Sequence, residues 1–320
     1  MRALPVASDS LRDRPPYYSL RALECCLGIA RDELRAAADS AGARYRPFTQ
    51  EKRLRPFPKI IPHRKARNID NPIGHVKWVQ GRIHQRILKP LFLPGYLCGG
   101  ASGKAVLDSV RLHLGARTLV TIDIKAFFPT IDNCQVFRVW QDLLKFSPEI
   151  AGILTRLTTF ERCLPQGAPT STLLANLVLH HIDGPIREAC EKSRINYSTW
   201  IDDLAFSGDS PQQIIPTVVR VLSSAGFGIS HRKLHIMGPG DRKVLIGTVL
   251  NRFPNVRREY LSQVRSGICK LRTGCVAEAE LRAYICSLEG KIRYIAALAP
   301  HKSQKLSAEL QKAVALAVPH

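Results

Sequence analysis

Acidic residues are scarce in this chain: its 320 residues include 26 Asp and Glu against 47 Lys and Arg, which gives a formal net charge of +21. A basic surplus of this size favours a polyanionic partner, with nucleic acid first and an anionic membrane surface second. The alternative is a basic surface without such a partner. The charge therefore predicts nucleic-acid binding and disfavours functions that rest on an acidic surface.

Long apolar runs and paired cysteine motifs are also missing. No stretch of about 18 apolar residues is present, so we expect no membrane span and no membrane partner. The first residues lack the apolar segment of a signal peptide. The nine cysteines include no Cys-x-x-Cys pair, which disfavours a zinc site or a disulfide framework. Together these absences predict reduced thiols and a cytoplasmic location.

Apolar residues make up 45% of the chain, so a sizeable core is expected. Helical periodicity or strand-like composition marks segments along the whole length. Ser19 is expected to cap the first helix and Gly42 to end the last turn of the same region. Predicted helices cover 19–42, 75–91, 133–146, 148–160 and 211–225, and predicted strands cover 59–61, 67–69, 118–126, 197–207 and 243–250. Strands interleaved irregularly with helices favour an α+β fold over a doubly wound sheet.

The positive charge is concentrated in two regions. Residues 52–89 contain eleven Lys or Arg and a single acid, Asp70. Residues 252–320 contain twelve Lys or Arg and five acids, with a helical period that predicts a separate small lobe. A solvated helix face normally carries interspersed acids, so the first region predicts a surface for a polyanion.

Three aspartates lie in unusually apolar surroundings. Asp123 falls within the strand-like run 118–126, and Asp202 and Asp203 fall within 197–207. Charged side chains are rarely buried alone, and neighbouring carboxylates repel each other unless a cation neutralises them. The pattern predicts a divalent metal site for Mg²⁺. Adjacent strand residues point to opposite faces, so Asp202 and Asp203 can share a metal only near a turn, and we expect Asp203 to be secondary. The alternative for Asp123 is a strand-end carboxylate bonded to backbone.

Several segments, taken in order, resemble the motifs of reverse transcriptases. The resemblance spans roughly residues 45–295, and a fingers-like segment containing Arg67 and residues 76–80 precedes the others. Trp200 stands where the Tyr of the Tyr-x-Asp-Asp signature is expected. The matching segments are Asp123 to Ile131 for motif A, Leu164 to Leu177 for motif B, Trp200 to Asp203 for motif C, Gly226 to Lys233 for motif D and Val244 to Asn251 for the strands that follow.

The resemblance implies an RNA-directed DNA polymerase with a right-hand α+β fold: an antiparallel palm sheet and a helical thumb. It implies an N-terminal helical segment at 1–44, fingers at 45–115, a palm at 116–251 and a thumb at 252–320. A fingers insertion is expected within the palm at about 133–163.

The resemblance also assigns roles to single residues. Asp123 and Asp202 would ligate two Mg²⁺ ions, for which Mn²⁺ is a substitute, with Asp203 beside them and the carbonyl of Ile124 assisting. For the dNTP, the implied residues are Arg67 on the triphosphate, Gln166 in the nucleotide pocket and Phe128 as a steric gate against the ribose 2′-hydroxyl. Lys233 is the implied proton donor to pyrophosphate. Read singly, Phe128 is equally a core residue, Lys233 a surface lysine and Gln166 a turn residue.

Within this family the chain most resembles the reverse transcriptases of bacterial retrons. That resemblance implies a structured noncoding RNA as partner, priming from an RNA 2′-hydroxyl, a branched RNA–DNA product and an effector protein in anti-phage defence. The RNA-contacting residues expected are His113, Lys77, Arg82 and Arg293. Departures at 109–113 and at Leu245 to Gly247 leave another bacterial reverse transcriptase, defence-associated or intron-like, as an alternative, whereas Trp200 leaves both aspartates of motif C intact. An alternative of another class is an inactive RNA-binding protein on a polymerase scaffold.

Overall fold

The computed structural model describes residues 19–51 and 66–317, and the chain there forms helices packed on antiparallel sheets. The strands are β1 Tyr45–Glu51, β2 Ala66–Pro72, β3 Thr118–Asp123, β4 Asn196–Trp200, β5 Asp203–Gly208, β6 His235–Met237, β7 Val244–Leu245, β8 Thr248–Leu250 and β9 Pro254–Val256. The α-helices are α1 Leu20–Leu27, α2 Arg31–Asp39, α3 Gly74–Ile83, α4 Val106–His113, α5 Phe127–Thr130, α6 Asn133–Arg138, α7 Pro148–Thr158, α8 Ser171–Ile182, α9 Gly184–Lys192, α10 Ile215–Ser224, α11 Arg258–Arg272, α12 Leu281–Leu298 and α13 Pro300–Ala317.

A four-stranded antiparallel sheet lies at the centre, in the order β4-β5-β3-β6. Its middle strands are buried on both faces, since Leu119, Val120, Ile122 and Leu204 are all inaccessible. β-Branched and aliphatic residues suit such a position because they pack well on a pleated surface. The apolar helix α8 belongs to the same core, so the sheet is a rigid platform for whatever its strand ends carry.

Two smaller antiparallel units flank this sheet. β1 and β2 form a hairpin in register from Tyr45 opposite Pro72 to Glu51 opposite Ala66. β7, β8 and β9 form a three-stranded meander. The first of these units carries part of the basic segment expected to contact a polyanion.

The three C-terminal helices have a hydrophobic core of their own. Leu288, Ile292 and Ile295 of α12 pack with Val264 of α11 and Leu306 of α13, and this cluster is separate from the core around the central sheet. Lys and Arg remain on the outer faces, so this helical lobe combines a private core with a basic surface.

The α+β architecture predicted from the sequence is confirmed. Ser19 caps α1 as expected: its Oγ accepts a hydrogen bond from the amide of Ala22 at 3.2 Å. Strand 67–69 lies within β2, and the helices predicted at 75–91, 148–160 and 211–225 are present. The first continues from α3 into a π-helical turn at His84–Leu88, and the last begins with a 3₁₀ turn at Pro211–Ile214. The predicted strand at 59–61 lies outside the described residues.

Five predicted segments have different bounds in the structure. Gly42 does not end a helix, because α2 stops at Asp39 and Gly42 lies in a short 3₁₀ turn. The predicted strand 118–126 ends at Asp123. The predicted helix 133–146 changes to a π-helical turn at Val139–Leu143. The predicted strands 197–207 and 243–250 are each two strands joined by a turn, because neither alternation nor composition reveals a tight reversal inside an apolar run.

Among the helices of the described ranges, none is both long enough and apolar enough to cross a membrane. All nine cysteines lie within those ranges and are free thiols.

Candidate active site

The turn between β4 and β5 presents two of the three predicted aspartates. β4 ends at Trp200 and β5 begins at Asp203, so Asp202 lies in the turn itself. Ile201 in this turn has φ +63°, a left-handed conformation that is a genuine outlier for a β-branched residue. The reversal at this point lets adjacent carboxylates approach one region, which a continuous strand would not allow.

Asp123 lies beside this turn because β3 and β5 are neighbours. Asp123 is directly opposite Asp203 in the antiparallel register. The amide of Ile124 donates to the carbonyl of Asp202 at 2.9 Å, so Asp123 and Asp203 form a non-hydrogen-bonded pair, the kind in which side chains are closest. The structure therefore brings the three carboxylates together at one edge of the sheet.

Burial and mutual repulsion act on these carboxyl groups. Burial first, and then the carboxylates of Asp202 and Asp123, raise the pKa of Asp203 to about 6. Burial and Asp123 also raise the pKa of Asp202. Raised acid pKa values show that negative charge is disfavoured here unless a cation offsets it.

Lys233 supplies one such cation. Its ammonium forms an ion pair with Oδ2 of Asp123, and the lysine side chain is about half exposed, at 55%. The segment that carries it is tied to β3, since the amide of Ser230 donates to the carbonyl of Asp123 at 2.8 Å. The lysine can therefore reach both the carboxylates and the solvent in front of them.

The donor set matches a hard divalent cation. Across the described ranges no group of three or more His, Cys, Asp or Glu side chains has the geometry of a complete metal site. Mg²⁺ in polymerase-type sites is held by one or two carboxylates, and substrate phosphates and water complete its shell. Asp123 and Asp202 supply that number of oxygen ligands, so the residues present fit the ion.

The hairpin β1–β2 reaches the site through Gln166. The amide of Asp70 donates to the carbonyl of Gln166 at 2.8 Å, and the amide of Gln166 donates to a carboxylate oxygen of Asp70 at 3.3 Å. Arg67, on the same hairpin, is exposed and lies close enough to Asp202 to lower the pKa of that carboxyl group against the larger effect of burial. The hairpin therefore carries Arg67 near Asp202 and is bonded to the segment that contains Gln166.

The two phenylalanines after β3 have different surroundings. Phe127 is buried and packs against Phe227 with the rings tilted by 59° and their centroids 5.4 Å apart. Phe128 is only partly buried and contacts Phe127. Of this pair, Phe127 is the core residue, whereas Phe128 stays partly accessible in the segment that follows Asp123.

The prediction that His113 contacts RNA was wrong. Its side chain is fully buried, and its ring nitrogens hydrogen-bond to the hydroxyls of Ser207 at 2.7 Å and Ser198 at 2.8 Å. Burial lowers the pKa of His113 to about 3, so the ring is neutral. A buried, neutral side chain cannot contact RNA, and His113 instead joins α4 to β4 and β5.

The remaining predicted RNA contacts lie on the surface to different degrees. Lys77 and Arg293 are exposed. Arg82 is partly buried, because its Nε donates to the carbonyl of Leu27 at 2.8 Å at the end of α1. Arg82 therefore has a structural role in this fold, which the charge pattern alone did not reveal.

Sequence reasoning missed the residues that support the turn from behind. Gly99 lies against the backbone of Trp200 and Ile201, and the side chain of Asn176 donates to the carbonyl of Gly99. Asp70 links the hairpin to Gln166. The adjacent glycines at 99 and 100 are the visible signal, since paired glycines often mark a close approach of backbones.

Comparisons with known proteins agree with this geometry. The model of the family "Reverse transcriptase (RNA-dependent DNA polymerase)" matches residues 62–262. The chain is 27% identical over 270 residues to the retron Ec86 reverse transcriptase of Escherichia coli, covering 83% of this chain and 82% of that protein. It is 29% identical over 194 residues to the retron Se72 reverse transcriptase of Salmonella heidelberg, covering 61% of this chain and 49% of that protein.

A solved telomerase from Candida albicans, in complex with a fragment of telomeric RNA, has 9% identity and a TM-score of 0.47 over 90% of this chain and 60% of that one. The predicted resemblance to retron reverse transcriptases is confirmed by the curated relatives. The family match covers more than half of the 320 residues. The chain belongs to the reverse transcriptase family, the RNA-dependent DNA polymerases of right-hand fold, and within it resembles the retron enzymes.

Proposed function

We propose that this enzyme copies part of a cognate structured noncoding RNA into DNA, starting from a 2′-hydroxyl of that RNA and giving a branched RNA–DNA hybrid. The product would act with an effector protein in anti-phage defence. The observation that carries the polymerase site is the meeting of Asp123, Asp202 and Asp203 at the edge of the central sheet. The retron assignment is supported by relatives that match over most of the chain.

In this proposal Asp123 and Asp202 hold two Mg²⁺ ions, or Mn²⁺ as a substitute, and Asp203 supports them from the opposite strand. The carbonyl of Ile124 is the proposed backbone ligand. Bound divalent ions supply Lewis acidity and neutralise charge on the attacking and leaving oxygens. The fixed strand register preorganises the carboxylates, so little rearrangement is needed when the substrate phosphates arrive.

The nucleotide would lie between the hairpin β1–β2 and the carboxylates. Arg67 suits the triphosphate because a guanidinium matches phosphate oxygens with two parallel hydrogen bonds. Gln166, fixed through Asp70, would line the pocket for the base and sugar. Phe128 would crowd a ribose 2′-hydroxyl and so select deoxynucleotides. Lys233 would donate a proton to the leaving pyrophosphate.

The RNA would follow the basic surfaces. We propose Lys77 on α3 and Arg293 on α12 as contacts, since both are exposed. We also propose a division into an N-terminal helical segment (1–44), fingers (45–115), palm (116–251) and thumb (252–320), and the separate core of α11–α13 supports a distinct thumb.

The retron assignment is tested in cells. The gene is expressed with its native flanking DNA, the protein is purified, and the bound nucleic acid is treated with a 2′–5′ debranching enzyme. We expect DNA joined to RNA that is separated by this treatment, and none with the Asp202→Asn protein. Unbranched DNA would point to another bacterial reverse transcriptase, and bound RNA without any DNA would point to an RNA-binding protein on this scaffold.

A further inference from the structure

A short loop, 94–100, runs alongside the strand that carries the catalytic turn. The amide of Thr199 donates to the carbonyl of Tyr96 at 2.8 Å, and the amide of Cys98 donates to the carbonyl of Thr199 at 3.0 Å. Leu97 and Thr199 thereby form a parallel bridge. The loop is fixed to β4 one residue before Trp200.

At the end of this loop, Gly99 lies directly against the backbone of the turn. A Cβ atom at this position would lie 2.6 Å from the amide nitrogen of Ile201 and 2.8 Å from the carbonyl carbon of Trp200. Both distances are below any normal carbon contact, and both atoms are backbone. Any residue other than glycine would therefore push the turn away.

Gly99 is held in place from the opposite side. The amide group of Asn176, on α8, donates to the carbonyl of Gly99 at 2.6 Å, and Asn176 is fully buried. Next to it, Gly100 has φ +70° and its missing Cβ leaves room for the methyl group of Thr172. Gly99 is thus held between α8 and the turn that joins β4 to β5.

The base of the loop rests on a buried polar cluster. The hydroxyls of Tyr96 and Tyr197 donate to the two carboxylate oxygens of Asp183 at 3.1 and 3.2 Å. Arg187 donates to the same carboxylate at 2.7 Å. The tyrosine rings stack with centroids 5.1 Å apart, so the loop and β4 share one anchor.

The turn itself requires such support. Ile201 adopts φ +63°, and a β-branched residue in that conformation persists only when the surrounding structure holds it there. The backbone of Gly99 packs directly against Ile201. Without this contact, the backbone of the turn would relax to a less strained conformation, and Asp202 would move with it.

We propose that Gly99, held by Asn176, is a positioning residue that sets the location of Asp202 relative to Asp123. This inference rests on the proposed role of the two aspartates as metal ligands. Gly99 contacts no substrate in this account and acts only through the turn.

The test compares Gly99→Ala with Gly95→Ala, a glycine in the same loop whose Cβ would meet nothing within 4 Å. In primer extension by folded protein, we expect Gly99→Ala to lower kcat by about 10²-fold, because small displacements of catalytic groups have effects of that size. The KM for dNTP and the RNA affinity should stay within about twofold. Gly95→Ala should behave as the wild type does.

A second readout does not depend on polymerisation. Tb³⁺ binds carboxylate oxygens and is excited through a nearby tryptophan, here Trp200, so its luminescence titration reports the carboxylate geometry. We expect weaker Tb³⁺ binding in Gly99→Ala and unchanged binding in Gly95→Ala. If the wild type binds Tb³⁺ but does not polymerise, the proposed function fails while this titration still decides the role of Gly99.

If Gly99→Ala does not fold, Asn176→Ala takes its place, since it frees the Gly99 carbonyl without adding bulk. It should lower kcat and Tb³⁺ affinity in the same direction. Wild-type kcat and wild-type Tb³⁺ affinity in the folded variant would overturn the proposal, as would equal effects in Gly95→Ala.

Discussion

Single residues at the strand ends combine opposite demands. Asp202 and Asp203 are drawn into an apolar environment that disfavours their charge, and Lys233 offsets part of that charge through Asp123. This arrangement favours cation binding, because a bound cation relieves the repulsion between the carboxylates. Burial also disfavours the charged form of His113, and because its partners are neutral, the ring stays uncharged.

His113 makes folding pH-dependent. Its pKa of about 3 in the folded state lies well below the usual 6.5, so the unfolded chain takes up a proton on acidification and the folded chain does not. This contribution is present above the unfolded-state pKa and is lost as pH falls towards the folded value. We expect the free energy of unfolding to drop by about 1 kcal/mol from His113 alone between about pH 7.5 and 5.5.

Urea unfolding at the two pH values measures this drop. His113→Gln should be less stable at the higher pH but should lack this part of the pH dependence. His301→Gln, which removes an exposed histidine of α13, should retain it. Identical pH dependence in His113→Gln and the wild type would contradict the assignment.

Phe128 gives a prediction about sugar selection. Because Phe128 is partly accessible in the segment that follows Asp123, we expect Phe128→Ala to admit ribonucleotides by removing the proposed gate against the 2′-hydroxyl. Primer extension with matched rNTP and dNTP measures the ratio of their kcat/KM values. Phe92→Ala, which removes an exposed ring, serves as the control, and unchanged discrimination in Phe128→Ala would reject the gate.

Among the elements, the hairpin β1–β2 packs against the turn that precedes α8. Gly167 has φ +121°, and a Cβ there would lie 2.8 Å from the side chain of Ile69. Gly167→Ala should therefore shift the hairpin and Arg67 away from the carboxylates. We expect a higher KM for dNTP with a smaller change in kcat, the opposite of the pattern for Gly99→Ala.

Steady-state kinetics with varied dNTP tests this coupling. Gly152→Ala, where a Cβ meets nothing within 4 Å, is the matched control. If Gly167→Ala raises the KM for dNTP no more than Gly152→Ala does, the hairpin is not linked to nucleotide binding in the way described.

At the level of elements, composition and periodicity were sufficient where a segment had one dominant environment. The buried run of β3 and the amphipathic helices were predictable because apolar residues follow the secondary-structure period. The turns within 197–207 and 243–250 were not, since their residues continue the apolar pattern through the reversal. The ion pair between Lys233 and Asp123 and the contact of Gly99 with Ile201 depend on tertiary packing, which no local pattern encodes.

For the whole molecule, the net charge of +21 predicts how RNA binds. Binding that neutralises several phosphates releases counterions, so affinity falls steeply with salt; six phosphates of single-stranded RNA would give a log–log slope of about −4. Lys77→Ala and Arg293→Ala should each make the slope shallower by about 0.7. Fluorescence anisotropy with labelled RNA measures the slope.

Lys192→Ala is the control for this measurement, because Lys192 is exposed and pairs with Glu188 on α9. Its slope should equal that of the wild type. A slope near zero in the wild type would show that the basic surfaces do not carry RNA binding.

We propose that Asp123 and Asp202 form the centre at which RNA is copied into DNA. The most direct measurement is primer extension on an RNA template by the purified protein with Mg²⁺ and dNTPs, compared with Asp202→Asn. We expect DNA synthesis by the wild type and none by Asp202→Asn, which should still bind RNA with wild-type affinity. Extension by Asp202→Asn at the wild-type rate, or no extension by the folded, RNA-bound wild type, would contradict the account.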